Sequence, residues 1–225
     1  MKKIFLKKSL PKSWSKVLKN HNNLKSLERP EAFINIQLKK KINILPNLKN
    51  VFKAFEYCSF DKTNVVIFGQ DPYFQSGVAN GLAFSINAKE RIPHSLKNIL
   101  DEVKSDIGSV SNIDGDLSNW AGQGVLLLNS ALTVQENKPG SHSKIGWQDF
   151  IYDVIDSLNK KSAIVFMLWG NDAKNYLNKI NKNDNLVLTS SHPSPLSAYK
   201  GFFGCRHFSK CNNYLIANNK MPIKW

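Results

Sequence analysis

Val65-Val-Ile-Phe-Gly69-Gln-Asp-Pro-Tyr73 is the stretch of this 225-residue chain that decides its fold. Four apolar residues in a row, with no polar residue between them, are typical of a strand buried on both faces, as in a parallel sheet. Pro72 disfavours a helical conformation at Asp71, so the chain leaves the strand through a polar, non-helical turn. The stretch therefore predicts a central strand with a carboxylate at its carboxyl end.

Similar apolar runs recur along the chain and alternate with helical patterns. The strand-like runs are residues 65–68, 125–128, 164–168 and 186–188. Apolar residues at helical spacing cover residues 95–106, 147–158 and 173–180. Strand, helix and strand in succession predict an α/β layered domain with right-handed crossovers.

Residues 1–60 carry a different pattern from the rest of the chain. Ser13 can cap a helix, and residues 48–55 place four apolar side chains on one helical face, which predicts a mainly helical N-terminal part. No repeat and no long linker separates this part from the remainder. We therefore predict a single domain over residues 1–225.

Most of the formal net charge of +14 lies at the start of the chain. Residues 1–53 carry 14 basic and 2 acidic side chains, whereas residues 54–225 carry 17 and 15. A basic region favours a polyanionic partner, because neutralised phosphates release condensed counterions. Abundant Lys and Asn also follow from an A/T-rich genome, and such lysines would form a solvated face with no partner. The charge by itself does not decide between these two readings.

Hydropathy and cysteine usage restrict the class of protein further. The longest apolar run, residues 163–169, is far shorter than the roughly 20 residues of a membrane-spanning helix, and no secretory pattern follows the first residues, so a cytoplasmic protein is expected. Cys58, Cys205 and Cys211 form no C-x-x-C pair and are odd in number, which predicts reduced thiols. Cys205, His207 and Cys211 match no common zinc spacing, so packed thiols are favoured over a metal site.

A polar residue follows each of the four strand-like runs. These residues are Asp71, Asn129, Asn171 and His192. In open parallel sheets, ligands bind beyond the carboxyl ends of the strands. An acid, an amide and an imidazole are therefore predicted to meet at one rim of the sheet.

Four short motifs occur in a fixed order along the chain. They are Gly69-Gln-Asp-Pro-Tyr73, Gly81-Leu-Ala-Phe-Ser85, Leu126-Leu-Leu-Asn129 and His192-Pro-Ser-Pro-Leu-Ser197. Together they closely resemble the motifs of family 1 uracil-DNA glycosylases, and the resemblance covers nearly the whole chain. It implies a three-layer α/β/α fold with a central four-stranded parallel sheet. It also implies a DNA repair enzyme that excises uracil and leaves an abasic site, without a metal or cofactor.

The resemblance also implies the partners of the protein. The substrate would be uracil in single- or double-stranded DNA, and a proteinaceous inhibitor that mimics DNA would be a second partner. We expect a monomer with no membrane association. Because a base inside a duplex cannot be reached, the target nucleotide must leave the stack at a cost of a few kcal/mol.

Two residues carry the chemistry that the resemblance implies. Breaking an N-glycosidic bond builds positive charge on the sugar and negative charge on the departing base, so a fixed anion and a fixed donor are needed. By resemblance, Asp71 stabilises the oxocarbenium-like sugar and orients water, and neutral His192 stabilises the uracil anion. Alternatively, an Asp before Pro simply closes a turn, and a loop His is simply exposed and titratable.

Base recognition is assigned by resemblance to four residues: Gln70, Tyr73, Phe84 and Asn129. The amide of Asn129 can pair with N3–H and O4 of uracil, whereas cytosine presents the opposite pattern. Tyr73 would exclude the thymine methyl group sterically, and Phe84 would stack on the base. The alternatives are that both aromatic residues belong to the core and that Asn129 caps a helix.

DNA contacts are expected from five residues: Ser95, Asn171, Ser194, Leu196 and Ser197. Leu196 resembles an apolar wedge that enters the vacated stack. The serines and Asn171 would contact phosphates around the extruded nucleotide. Serines in proline-containing loops are otherwise ordinary turn residues.

The chain departs from the family pattern at several positions. Phe74 and Asn80 stand where the family usually has His, Ile92-Pro-His-Ser95 lacks the usual consecutive prolines, and Asn171 replaces a Ser. An apolar ring at Phe74 could slow hydrolysis, or raise the pKa of Asp71 by desolvation. These changes motivate an alternative, a catalytically weakened module that binds DNA or a DNA mimic. An iron–sulfur relative is a weaker idea, since such clusters normally take four thiolates.

Overall fold

The computed structural model describes residues 3–87, 90–109 and 114–225. Its strands are β1 (Ile44–Leu45), β2 (Val65–Gly69), β3 (Val125–Asn129), β4 (Val134–Gln135), β5 (Val165–Trp169) and β6 (Leu186–Ser190). Its α-helices are α1 (Leu6–Ser9), α2 (Lys12–Leu18), α3 (Glu28–Lys39), α4 (Lys53–Tyr57), α5 (His94–Ile107), α6 (Ser118–Gly122), α7 (Trp147–Leu158), α8 (Asn171–Lys174) and α9 (His207–Ala217). Short 3₁₀ helices cover Asn22–Leu27, Leu48–Asn50, Leu177–Lys179 and Ala198–Lys200.

The central sheet has four parallel strands, as the resemblance predicts, and their order is β3-β2-β5-β6. Every residue of β2, β3 and β5 is buried, so helices cover both faces of these strands and the fold is a three-layer α/β/α arrangement. β3 and β6 are the two edge strands, and only β6 is partly exposed. β1 and β4 form a separate antiparallel ribbon.

Two predicted helices agree with the structure and two are interrupted. α7 has the predicted bounds and α5 differs from its prediction by one residue at each end. The predictions of continuous helices over residues 48–55 and 173–180 are wrong, since each segment is a short α-helix and a 3₁₀ helix separated by a turn. Apolar spacing identifies the side that faces the core, but it does not require an unbroken hydrogen-bond ladder. Accordingly Val51, Phe52 and Phe55 are all buried.

The N-terminal part packs onto the sheet layers through α7. Trp14 of α2 is fully buried, and its Nε1–H donates to the carbonyl oxygen of Cys58 at 2.8 Å. One continuous cluster of buried apolar residues extends from Ile4 to Trp225. None of the helices in the described ranges is long and apolar enough to cross a membrane.

The three cysteines are free thiols packed against neighbouring side chains. Burial raises the pKa of Cys58 to about 11 and that of Cys205 to about 12. The imidazole of His207 lies in the core, where its Nδ1 accepts a hydrogen bond from Trp169 Nε1–H at 3.0 Å. Within the described part of the chain, no three His, Cys, Asp or Glu side chains are grouped so as to hold a metal ion.

Candidate active site

The carboxyl ends of the strands surround one cavity of about 280 Å³. Its walls include all six residues that the sequence assigns to catalysis and base recognition, and also Ser95, which is predicted to contact DNA. The six are Gln70, Asp71, Tyr73, Phe84, Asn129 and His192. Asp71 follows β2, Asn129 ends β3 and His192 lies just beyond β6, so the sheet topology brings these distant residues together. The predicted meeting of acid, amide and imidazole at one rim is confirmed by this geometry.

The carboxylate of Asp71 is held by a backbone donor from a different part of the chain. Gly140 N–H donates to Asp71 Oδ2 at 2.7 Å. Burial raises the pKa of Asp71, the hydrogen bond from Gly140 opposes this effect, and the negative charge of Asp172 adds to it. Phe74 lines the same cavity, so an apolar ring is part of the low-dielectric surroundings of the acid.

The loop that carries Gly140 is held in place by a buried network that the four sequence motifs do not include. Thr133 Oγ1 accepts from Trp147 Nε1–H at 2.9 Å and lies 2.8 Å from His142 Nδ1. The hydroxyl of Thr133 therefore links the indole of Trp147 to the imidazole of His142. Burial lowers the pKa of His142 to about 4, so it stays neutral. This buried network anchors the loop whose N–H reaches Asp71.

The hydrogen bonds around His192 decide which of its ring nitrogens carries the proton. Nδ1 accepts a hydrogen bond from the N–H of Ser194 at 3.0 Å. The proton of a neutral ring must therefore be on Nε2, which makes Nε2–H a donor. Burial lowers the pKa of His192, with an opposing contribution from Asp172, so the neutral form is favoured near pH 7. Gly170 packs directly against this side chain, and a Cβ there would overlap His192 Cβ.

Asn129 lies at the bottom of the cavity, with 6% of its surface exposed. It pairs in register with Gly69 on β2. A Cβ at Gly69 would overlap the side-chain oxygen of Asn129, so only glycine leaves room for this amide. The amide is thus fixed between two buried strands.

Tyr73 and Phe84 form an aromatic wall of the cavity. Tyr73 Oη–H donates to the carbonyl oxygen of Phe84 at 3.0 Å. Phe84 has a φ of 64°, a left-handed conformation that a bulky residue rarely adopts. Its ring centroid lies 5.6 Å from that of Trp169 and 6.0 Å from that of His192. The strained backbone conformation of Phe84 thus occurs at a position where it turns the aromatic ring toward the cavity.

The departure at Asn80 has a structural explanation. Asn80 is buried, and its Nδ2 donates to Ser85 Oγ and to the carbonyl oxygen of Ile86, both at 2.8 Å. Its Oδ1 accepts from the N–H of Leu82 at 3.1 Å. Asn80 therefore stabilises the tight loop that presents Phe84, and it does not line the cavity.

Of the predicted DNA-contacting residues, only Ser95 lines the base cavity, and the other four lie beside it. Ser194 and Asn171 line a neighbouring cavity of about 290 Å³ that shares Gln70 and His192 with the first. Ser197 Oγ–H donates to the carbonyl oxygen of His192 at 2.8 Å, and the Ser194 and Ser197 hydroxyls are 3.0 Å apart. Leu196 is 82% exposed on the same loop. Ser95 faces the first cavity from the first turn of α5.

A buried amide, a carboxylate and a neutral N–H donor around one small cavity suit the hydrolysis of an N-glycosidic bond to a flat base. The arrangement defines the class as glycosyl hydrolases that act on a nucleic-acid base. Residues 55–216 match the family model described as the uracil DNA glycosylase superfamily. The chain belongs to this family, and its reaction is the hydrolytic excision of uracil from DNA in base excision repair.

Named relatives and solved structures agree with the family. A uracil-DNA glycosylase of Amoebophilus asiaticus is 48% identical over 95% of this chain and 97% of its own length. One of Campylobacter fetus subsp. fetus is 49% identical over 95% of this chain and 91% of its own length. The crystal structure of mimivirus uracil-DNA glycosylase superposes with a TM-score of 0.92 at 29% identity, covering 99% of this chain and 90% of that one. The resemblance drawn from the four motifs is thereby confirmed.

Proposed function

We propose that Asp71 and His192 divide the catalytic work of uracil excision between them. As the bond between C1′ and N1 breaks, its electron pair moves onto the base, leaving positive charge on the sugar. The carboxylate of Asp71 offsets that positive charge and orients the water that adds to C1′. The Nε2–H of His192 donates to O2 of the uracil anion. A neutral donor needs no counter-charge of its own, which agrees with the lowered pKa of this ring.

The supporting observation is that the two groups share one cavity with Asn129. A binding module could retain the fold with these groups dispersed, but here all three line the same walls. Phe74 is the one feature in the cavity that favours the alternative of weakened catalysis, because it places an apolar ring where the family usually has a polar side chain. We expect Phe74 to lower the rate only modestly, because Gly140 N–H still donates a hydrogen bond to the carboxylate of Asp71.

We assign base recognition to Asn129, Tyr73, Phe84 and Gln70. The amide of Asn129, immobilised between β2 and β3, would pair with N3–H and O4 of uracil. An unmatched buried partner costs about 1–3 kcal/mol, so cytosine is disfavoured. Tyr73 is held at one edge of the cavity by its hydrogen bond to Phe84, where it would meet a methyl group on C5. Gln70 lines both the base cavity and its neighbour.

We assign DNA contacts to Leu196 and to the polar residues around it. The isobutyl side chain of Leu196 projects into solvent from a loop that is rigidified by serine hydrogen bonds, which suits a wedge that fills the vacated stack. Ser95 lines the base cavity, Asn171 and Ser194 line its neighbour, and Ser197 is bonded to Ser194; these polar groups would contact phosphates. Lysines of the basic N-terminal part could add non-specific attraction to DNA.

Three further assignments complete the proposal. We assign residues 1–225 to one uracil-DNA glycosylase domain, because a single apolar cluster extends from Ile4 to Trp225. We place the protein in the cytoplasm as a monomer, in keeping with free thiols and a DNA substrate. A solved structure of mimivirus UNG Y322L is in complex with UGI, and we propose that a DNA-mimicking protein inhibitor of this kind also binds here.

The test is a cleavage assay on purified protein. Single- and double-stranded oligonucleotides that contain one uracil are incubated with the enzyme and EDTA, and abasic sites are then cleaved with alkali. We expect strand scission at the uracil position in EDTA and none in matched thymine or cytosine oligonucleotides. Absence of scission after long incubation, with DNA binding intact, would overturn the catalytic assignment in favour of a binding module.

A further inference from the structure

Glu102 is a buried carboxylate that the reaction chemistry does not use. It lies on α5 with 2% of its surface exposed. Its oxygens accept hydrogen bonds from the N–H of Gly204 at 2.7 Å and of Arg206 at 3.0 Å, and from the thiol of Cys205 at 3.7 Å. In the described ranges Glu102 forms no ion pair within 4 Å, so its charge is satisfied by donors of a single short segment.

A second residue on the same face of α5 holds the other end of that segment. Asn98 lies one turn before Glu102, and its Nδ2 donates to the carbonyl oxygen of Pro193 at 2.8 Å. Residues four apart on a helix are neighbours on its surface. Residues 193–206, here termed the wedge segment, are therefore fastened at both ends to one helix.

The wedge segment is internally bonded between its two anchors. Ala198 N–H donates to the carbonyl oxygen of Ser194 at 2.8 Å, Phe202 N–H to that of Ala198 at 2.9 Å, and Cys205 N–H to that of Phe202 at 3.1 Å. Phe202 is fully buried against Trp169. Displacement of either end would therefore move the whole segment, including exposed Leu196.

The C-terminal anchor stabilises an unfavourable backbone conformation. Gly204 has a φ of 79° and Arg206 a φ of 55°, and a left-handed conformation is costly for an arginine. These two left-handed residues flank Cys205, and the N–H groups of both point toward one anion, the Glu102 carboxylate. Charge-assisted hydrogen bonds are stronger than neutral ones, so the carboxylate has a direct role in fixing this turn.

We propose that Glu102, supported by Asn98, is a positioning residue for base flipping. It fixes the position of Leu196 in the wedge segment relative to Ser95, the proposed phosphate contact, which lies on the same helix as Glu102. The inference rests on the proposed role of Leu196 as a wedge. A wedge is effective only when its tip and the groups that grip the backbone are held in a fixed geometry. α5 provides that geometry, since it carries Ser95 in its first turn and the two anchors in its second and third.

The test compares E102Q, N98A and D106N with the wild type. Gln is close to Glu in shape but has one acceptor oxygen in place of two, and its amide would face backbone donors. D106N is the matched control, because Asp106 lies one turn beyond Glu102 but holds Ser209 of α9, outside the wedge segment, at 2.8 Å to N–H and 2.6 Å to Oγ. Each variant is assayed on uracil in single-stranded and in duplex oligonucleotides, and for inhibition by free uracil.

We expect E102Q to lower kcat/KM on duplex DNA by about 10- to 100-fold, the range of a lost hydrogen bond to a charged group. The single-strand rate and inhibition by free uracil should stay near the wild-type values. N98A should give a smaller loss of the same kind, and D106N should keep the wild-type ratio of duplex to single-strand rates. A merely structural role of Glu102 would lower both rates together or weaken uracil inhibition, and would overturn the proposal. If E102Q does not fold at the assay temperature, the ratio measured for N98A decides.

A double-mutant cycle with L196A separates this inference from the proposed function. If Glu102 acts through Leu196, E102Q should have little further effect on duplex excision in the L196A background. Additive losses would overturn the role of Glu102 and leave the wedge intact. An L196A variant with an unchanged duplex-to-single-strand ratio would refute the wedge itself, and the Glu102 inference would fall with it.

Discussion

The base cavity and the wedge segment are both rigid, but they present their functional side chains in opposite ways. In the cavity, Asp71 and Asn129 are set into strand ends and surrounded by protein. In the wedge segment the backbone is tightly bonded, whereas Leu196 is 82% exposed. Buried polar groups discriminate strongly because a wrong ligand leaves them unpaired. An exposed apolar side chain, in contrast, can be buried only when DNA binds.

The difference implies that the two regions control different quantities. Groups in the cavity act on an extruded base, and they should affect single-stranded and duplex substrates equally. The wedge segment acts before the base reaches the cavity, so it should matter where a stack must be opened. Variants in the two regions should therefore differ in the ratio of duplex to single-strand rates.

The largest effect is expected from D71N. The substitution keeps the shape of the side chain and removes the negative charge that faces the developing oxocarbenium ion. We expect kcat to fall by about 10²- to 10⁴-fold, equally on both strand forms, as for other groups that stabilise transition-state charge. Single-turnover kinetics on both substrates measures the loss.

Binding of DNA serves as the control for D71N. Fluorescence anisotropy with a uracil-containing duplex should give nearly the wild-type affinity, because in the proposed mechanism the carboxylate faces the sugar and a negative charge gains nothing from a phosphate. An equal loss of binding and turnover would show that Asp71 holds the cavity together, and would remove the proposed separation between chemistry and DNA contact.

The strand ends were predictable from sequence because they depend on local patterns. Continuous apolar runs mark buried parallel strands, and chain order places Asp71, Asn129 and His192 at the same edge. The helix α7 was also located correctly, because its amphipathic spacing is unbroken from Trp147 to Leu158.

The supporting contacts could not be predicted, since they join residues far apart in the chain. Gly140 donates to Asp71 across 69 positions, and Glu102 accepts from Gly204 across 102 positions. Asn80 looked like a change at the reaction site, but it bonds within its own loop instead. Sequence patterns report burial and local conformation, whereas these contacts depend on how separate loops meet over the sheet.

A smaller effect, specific to strand form, is expected from L196A. Without the isobutyl group nothing fills the gap left by the extruded base, so the nucleotide returns to the stack more readily. We expect kcat/KM on duplex DNA to fall by about 10- to 100-fold, with single-strand activity within about threefold of the wild type. Parallel assays on both strand forms give the ratio. Equal losses on the two substrates would erase the distinction between the wedge segment and the cavity.

A change in base selectivity, rather than in strand preference, is expected from Y73A. Removal of the ring opens the wall where the methyl group of thymine would clash, so thymine excision should become detectable. The gain should be about 10- to 100-fold over the wild-type background, the usual range for excluding one methyl group. Thymine excision is measured as the abasic sites that form opposite adenine in a duplex without uracil. Normal uracil excision with no thymine excision would refute the steric account.

The smallest effect concerns Asp172, which lines the neighbouring cavity together with Gln70, His192 and Ser194. Its charge raises the pKa of Asp71 and that of His192. In the proposed mechanism turnover needs Asp71 ionised and His192 neutral, so activity should be lost as the pH falls through either pKa. D172N should lower both values and thus move the acid limb of the kcat profile to lower pH on both strand forms. At neutral pH the rate should stay within about fivefold, as for an exposed charge.

The matched control for D172N is D156N, which makes the same change in net charge at an exposed pair with Lys160 on α7. It should leave the acid limb in place. The shift caused by D172N should also shrink at high salt, because the charge is exposed and screened. An acid limb that stays fixed in D172N, or moves equally in D156N, would show that the local charge does not couple the two catalytic groups.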